Sequence, residues 1–373
     1  MCTGLVYIDA KSRPYLGNTM ELSELLPWQV AYFPAGTAFT SQVPGKDPLT
    51  WTSTHAFAGL MVSGELPQQG VPIDWRTLIA VRGVNDGGLA LSHQAYGDTG
   101  ETPASSDTAP MLEATQLGLW LLSNFTTVAD VKAALAKQPV NATRSPMAGN
   151  VPFPLHLLVT DHTGASIVIE GANGAFIAHD NPLGVMTNGP SFEWHLTNMD
   201  NWTHLTNVDQ STATFGTADF TQPDSGIATS ALPASNASVG RFVRAVYYTN
   251  FVEKVSDPDA AVMTLSAIIN NFDRPRGATK DAPGSAGEGV SFGAGNASLA
   301  WSTEYTTHTM MADITRGRFY IRPYTGLNWS TIDLSKLTSA TQVTFLPATE
   351  LDPMGGDLTA ALIQAQASAQ AKA

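Results

Sequence analysis

Apolar residues in this chain recur with two periods, and the periods come in blocks instead of alternating. Cys2–Ile8, Trp28–Phe33 and residues 88–96 are short apolar or alternating runs, parted by turn-rich stretches such as Pro44-Gly45-Lys46-Asp47-Pro48. Two helical stretches follow at 111–125 and 127–137, the second opening with Thr127 and Asp130 at capping-box spacing. Residues 157–160 and 166–170, either side of a turn at 161–164, read as a hairpin. Residues 241–255 and 260–271 are helical by period, and 302–313 and 318–324 form a further hairpin around Thr315-Arg316-Gly317. Strands, a helix pair, strands, a helix pair and final hairpins predict an α+β chain of antiparallel sheets with segregated helices, not a βαβ array. No Pro/Ser-rich linker divides it, so one domain over 2–373 is expected. Residues 200–238 and 278–296 read as long loops or arms, and the Ala/Gln-rich tail after Asp357 as a terminal helix.

The chain holds one cysteine in 373 residues, at position 2. No intrachain disulfide and no Cys-built zinc site is possible, so the fold rests on its apolar core. If Met1 is removed, Cys2 carries a thiol and a free α-amine, which titrates near ~7.7–8.0. One residue then supplies nucleophile and general base, leaving an oxyanion hole to be found elsewhere.

The surroundings of that cysteine resemble a known family. Met1-Cys2-Thr3-Gly4-Leu5 with Leu16-Gly17-Asn18-Thr19-Met20-Glu21 is similar to the start of the choloylglycine hydrolase and penicillin V acylase family. Val84-Asn85-Asp86-Gly87-Gly88-Leu89, Leu183 to His195, Gly240-Arg241-Phe242-Val243-Arg244 and Asn270-Asn271 with Arg276-Gly277 resemble its later motifs, in order. The resemblance implies an αββα sandwich of two antiparallel sheets flanked by helices, the fold of N-terminal-nucleophile (Ntn) hydrolases. It implies Cys2 as nucleophile and base, Asn188 and the backbone N–H of Ala95 as oxyanion donors, Arg241 near the thiol, and Glu21 on the α-amine. The family usually carries Arg where this chain has Asn18, which removes a cation from the thiol's side. Restoring Arg there is expected to raise turnover.

Trp28, Tyr32, Phe33 and Phe57 are candidate walls of an acyl pocket, against the commoner fate of such aromatics as core. The expected reaction is hydrolysis of the linear amide of penicillin V or an N-acyl homoserine lactone, with conjugated bile salts as the nearest alternative. A fold-intact homologue that binds without turning over is the alternative of another class. Gly289-Val290-Ser291-Phe292-Gly293 matches a nucleophile elbow, but its Gly-rich flanks cannot supply the strand and helix that motif requires.

The eight histidines show no metal-ligand spacing, and His195 reads as structural; no metal and no organic cofactor is expected. With 19 basic against 32 acidic residues and a net charge of −13, neither a nucleic-acid groove nor an anionic membrane surface is expected as a partner. No apolar stretch is long enough to span a bilayer. The chain is expected to start at the mature N-terminus or one residue before it. Compartment stays open: periplasmic if a leader has been removed, cytoplasmic otherwise. By resemblance, a homotetramer or dimer is expected, built partly by the 200–238 arm.

Overall fold

The computed structural model describes residues 1–23, 26–65, 72–97, 99–103, 105–142, 144–145, 151–283, 301–351 and 356–370. The Gly289–Gly293 motif and most of 278–296 lie outside these. In chain order the sheet strands are β1 (Cys2–Ile8), β2 (Pro14–Leu22), β3 (Trp28–Phe33), β4 (Phe57–Ser63), β5 (Leu78–Asn85), β6 (Leu89–Gln94), β7 (His156–Asp161) and β8 (Ser166–Ala172). They continue as β9 (Ala175–Asp180), β10 (Val185–Met186), β11 (Tyr305–Asp313), β12 (Arg318–Pro323), β13 (Ser330–Asp333), β14 (Thr344–Pro347) and β15 (Gly356–Asp357).

Two sheets result. One has the order β10-β1-β2-β11-β12-β13-β15, the other β9-β8-β7-β6-β5-β4-β3-β14. Neighbours are antiparallel except at the short β13–β15 pair. The first sheet carries the N-terminus on its second strand, beside the two-residue edge strand β10: Cys2 pairs with Met20, and Glu21 with Thr306.

Helices α1 (Leu117–Asn124) and α2 (Val128–Leu135) cover the second sheet. After the short α3 (Phe192–Asn198), helices α4 (Ser238–Phe251) and α5 (Pro258–Asn270) cover the first. A last helix, α6 (Leu358–Gln370), packs across β13 and β14. The layers therefore read α, β, β, α. Helices α2 and α5 start at side-chain caps that the sequence offers. Thr127 accepts from the Asp130 N–H at 3.1 Å, and Asp257 accepts from Ala260 N–H at 2.8 Å with Pro258 in the first turn. Asn85 ties the second sheet to α1. Its Nδ2 donates to the Leu122 and Phe125 carbonyls, and its Oδ1 accepts from Leu89 N–H across the β5–β6 turn.

The period reading missed the short or peripheral β9, β10, β13, β14 and β15, and also β2, β4 and β5. The last three lie inside their sheets and are buried along nearly their whole length, so they lack polar-apolar alternation. The stretch expected as one helix over 111–125 is helical only from Leu117, after a strand pair and a 3-10 turn. The 200–238 arm is not featureless: it contains a hairpin, Thr212–Phe215 with Ala218–Thr221, and a 3-10 turn at Ile227–Ala231.

Candidate active site

Cys2 opens β1 at the rim of the space between the sheets, in a cleft lined by Met20, Leu22, Leu26, Trp28, Val62, Val81, His93, Gln94, Ala95, Phe153 and Pro154. The lining is mostly apolar. Gly4 lets the strand lie close to its neighbour, since a Cβ there would come within 2.7 Å of Gln94 Nε2. With its amide turned to satisfy its neighbours, Gln94 accepts from Gly4 N–H at 2.9 Å and donates to the Cys2 carbonyl at 3.2 Å.

The backbone nitrogen of Cys2 donates to Asn188 Oδ1 at 2.7 Å. The same oxygen accepts from Arg241 Nη2 at 2.9 Å, while Asn188 Nδ2 donates to the Ala95 carbonyl at 2.7 Å. One N–H of that amide is thus engaged and the second is left to meet another acceptor. Asn188 is held from behind as well. Its own carbonyl accepts from Ser238 Oγ, the first residue of α4, at 2.8 Å, and lies 3.0 Å from His195 Nε2 on α3. The His195 ring stacks on Phe242, and burial lowers its pKa. The Gly189-Pro190 bond beside Asn188 is cis.

Arg241 projects from the first turn of α4 into the sheet. Its Nη1 donates to the Cys2 carbonyl and to Thr3 Oγ1 (2.7 Å), and its Nε to the Asn236 carbonyl (2.8 Å). The guanidinium thus grips the backbone and the Asn188 amide. Burial lowers its pKa, opposed by the charges of Glu21 and Cys2.

Glu21 is 2% exposed on β2. Its Oε1 accepts from Thr306 Oγ1 at 2.9 Å, and its Oε2 has no hydrogen-bond partner among the described residues. Burial raises its pKa, against the lowering effect of Arg241 and the N-terminal charge. The Met1 ammonium donates to the Glu21 carbonyl at 2.6 Å and to Glu304 Oε1 at 3.3 Å, and Glu304 is paired with Arg274 at 3.3 Å.

The structure brings Cys2, Asn18, Glu21, Asn188, Arg241 and Ala95 into one neighbourhood. Of the four candidate pocket aromatics, only Trp28 lines the cleft. Tyr32, Phe33 and Phe57 are corrected to core. Tyr32 lies four residues along β3 from Trp28, about 13 Å at strand rise, and its hydroxyl donates to the Leu337 carbonyl. Phe33 and Phe57, both 0% exposed, stack on each other at 4.7 Å.

Residues that sequence reasoning missed are Arg82, His93, Phe153 and Glu304. A charged residue inside the apolar run Leu78–Asn85, or a His inside Leu89–Gln94, was the available signal. His93 is buried, neither ring nitrogen has a hydrogen-bond partner among the described residues, and burial, then the Arg82 charge, push its pKa down to about 3. It is a neutral wall of the cleft. Among the described residues no group of His, Cys, Asp and Glu could hold a metal ion, and no helix is long and apolar enough to cross a membrane.

Known proteins are similar to this chain in sequence and in fold. A bile salt hydrolase/transferase of Clostridium perfringens is 26% identical over 219 residues, 58% of this chain and 61% of that enzyme. A penicillin V acylase of Pectobacterium atrosepticum is 26% identical over 295 residues, 74% of this chain and 70% of its own. The solved C2A conjugated bile acid hydrolase of Clostridium perfringens superposes with a TM-score of 0.76 at 21% identity, over 95% of this chain and 98% of that one. The signature of the choloylglycine hydrolase family of linear amide C–N hydrolases matches residues 2–345, and the chain belongs to that family.

Proposed function

We infer that this protein hydrolyses the linear amide of an N-acyl substrate through a Cys2 acyl-enzyme. The observation that carries the reading is the Cys2 nitrogen, 2.7 Å from an Asn188 oxygen that Arg241 also holds. Loss of Met1 turns that nitrogen into an α-amine in the same place. Its free base takes the Sγ proton, and the thiolate attacks the amide carbon. An S–C bond forms and the carbonyl oxygen takes up negative charge, met by the unspent N–H of Asn188 and the N–H of Ala95. Collapse breaks the C–N bond, and the ammonium passes its proton to the leaving amine. Water then attacks the thioester with the amine again as base, releasing the acid and restoring the thiol. Glu21, with one carboxylate oxygen unpartnered, and Glu304 supply the negative side of the ammonium's surroundings.

Met20, Leu22, Leu26, Trp28, Val62 and Phe153 make the cleft suited to an apolar acyl group. This supports penicillin V or an N-acyl homoserine lactone as substrate, in line with the Pectobacterium relative. Conjugated bile salts are the second reading, favoured by the Clostridium relatives. A phenoxyacetyl anilide, glycocholate and a long-chain acyl lactone, assayed side by side, rank them; cleavage of glycocholate alone overturns the first choice. Intact mass after substrate addition tests the binding-only alternative, which predicts no acyl adduct on Cys2.

Assembly through the 200–238 arm is also part of this reading. Its hairpin exposes Phe215 at 70% and Phe220 at 55%, more apolar surface than a solvated tip needs. Sedimentation of the intact chain beside one with residues 212–221 replaced by a short turn tests it, a monomer in both cases refuting the role.

A further inference from the structure

A buried cation lies behind the cysteine cleft, reaching Asn18 from the facing sheet. Asn18 sits on β2, paired with Gly4 of β1 and two residues from the partner of Cys2. Arg82 sits on β5 of the other sheet and is 0% exposed. Its Nε crosses the space between the sheets to donate to Asn18 Oδ1, and its Nη1 donates to the carbonyls of Val81 (2.7 Å) and His93. Nη2 has no hydrogen-bond partner among the described residues.

A local irregularity sets the direction of the side chain. Leu60 pairs with Arg82 and Met61 with Ala80, so Val81 stands unpaired as a β-bulge. A regular pleat would send Val81 and Arg82 to opposite faces. With the bulge, Val81 lines the cysteine cleft while Arg82 reaches Asn18 on the facing sheet. Gly59 permits the close strand approach, since a Cβ there would meet the Arg82 carbonyl at 1.9 Å. Burial of a guanidinium costs several kcal/mol unless anionic groups offset it. Burial lowers the Arg82 pKa, and the charges of the nearby Cys2 and Glu21 act against that lowering.

We propose that Arg82 is the cation that serves the Cys2 thiol in this protein, supplied from the facing sheet and oriented by Asn18, in place of the arginine that the family resemblance implies at position 18. A fixed guanidinium beside a thiol favours the thiolate and holds it in line. Asn18, uncharged and able to accept, is then the right anchor, and a second arginine there would meet Arg82 head-on. This reverses the expectation that Asn18→Arg raises turnover. The inference rests on Cys2 being the nucleophile.

The test uses the full chain, freed of Met1, and reads two quantities: the rate of Cys2 alkylation by iodoacetamide at pH 7, followed by intact mass, and kcat on the phenoxyacetyl anilide. The other charged or titratable groups facing the pair are Glu21 on β2, His93 on β6, Arg241 on α4, Glu304 before β11 and the α-amine. R82Q should slow alkylation roughly tenfold or more and move its pH profile to higher pH. Exchanging the residues, N18R with R82N, should return both rates to within about threefold of the parent, well above R82N alone. N18R by itself should slow both. An unchanged alkylation rate in R82Q, a faster N18R, or an exchange no better than R82N each overturns the proposal, and the last two decide the matter if R82Q does not fold. Turnover surviving C2A would instead sink the thiol reading and leave Arg82 unused.

Discussion

The two ends of β3 meet surroundings built to different rules. At the Phe33 end, on the sheet face turned toward α1, Phe33 stacks on Phe57 at 4.7 Å, Phe39 on Trp51 at 5.3 Å, and Trp75 meets Phe33 edge-on at 6.0 Å. Trp51 Nε1 there donates to Ser123 Oγ at 2.9 Å. At the Trp28 end, between the sheets, Cys2, Asn18, Glu21, Arg82 and His93 are all buried, and among the described residues Glu21 Oε2, Arg82 Nη2, Trp28 Nε1 and both His93 nitrogens lack hydrogen-bond partners. Orphaned buried polar atoms each cost about 1–3 kcal/mol. A fold that tolerates several around one cleft and, among the described residues, none in the aromatic stack has separated the region that stabilises from the region that reacts. Stability is drawn from the first and spent in the second.

That contrast can be broken by experiment. The largest effect should come from C2A, which removes the nucleophile: amide turnover should fall by about three orders of magnitude or more, with a melting temperature close to the parent's. Unfolding at much lower temperature would show that the cysteine end stabilises after all. Next, F57A should cost about 3–5 kcal/mol of stability by chemical denaturation, while kcat per folded molecule stays near the parent's; a preserved stability would make the aromatic end dispensable.

A smaller effect should appear at His308, which meets Trp28 edge-on at the cleft end. Burial pushes its pKa down from 6.5 to about 4. The folded state therefore holds it neutral, and its contribution is complete above pH 6.5 and lost as pH falls toward 4. H308F should escape that loss, gaining on the parent by about 1.4 kcal/mol per pH unit across the window. Parallel stability curves would refute it. The smallest effect should come from E21Q. Burial raises the Glu21 pKa, so its share of stability is present below the ordinary carboxylate range and lost as pH rises through the folded value. At neutral pH E21Q should be as stable as the parent or slightly more so, with slower turnover; a clear destabilisation at pH 7 would mean that the carboxylate is net stabilising.

How much of this was legible beforehand depended on where the information lay. Cys2, Asn188 and Arg241 sit in local motifs whose order along the chain resembles a family, and the structure gathers them around one nitrogen. The hairpins β7–β8 and β11–β12 showed themselves because each is joined by a short turn with recognisable turn residues. Strand β2, which carries Asn18 and Glu21, did not, because both its faces are covered and its apolar run lacks a period. Arg82 was invisible for a different reason. Within Leu78–Asn85 it is one charge in a buried strand, and only the bulge at Val81 and the facing sheet give it a partner. The acyl pocket was misjudged in the same way: aromatics on a strand announce burial, not which end of the strand meets the cleft.

The clamp on Asn188 has a further consequence. His195 and Ser238 grip the same carbonyl oxygen although they stand 43 positions apart in sequence, so the excursion between them leaves the molecule and returns to a single point. Closure entropy grows only with the logarithm of loop length. Such a detour can be lengthened, trimmed or redecorated at its tip while its two feet stay planted, which lets the outer contour of the protein diverge between lineages without disturbing the chemistry at its base.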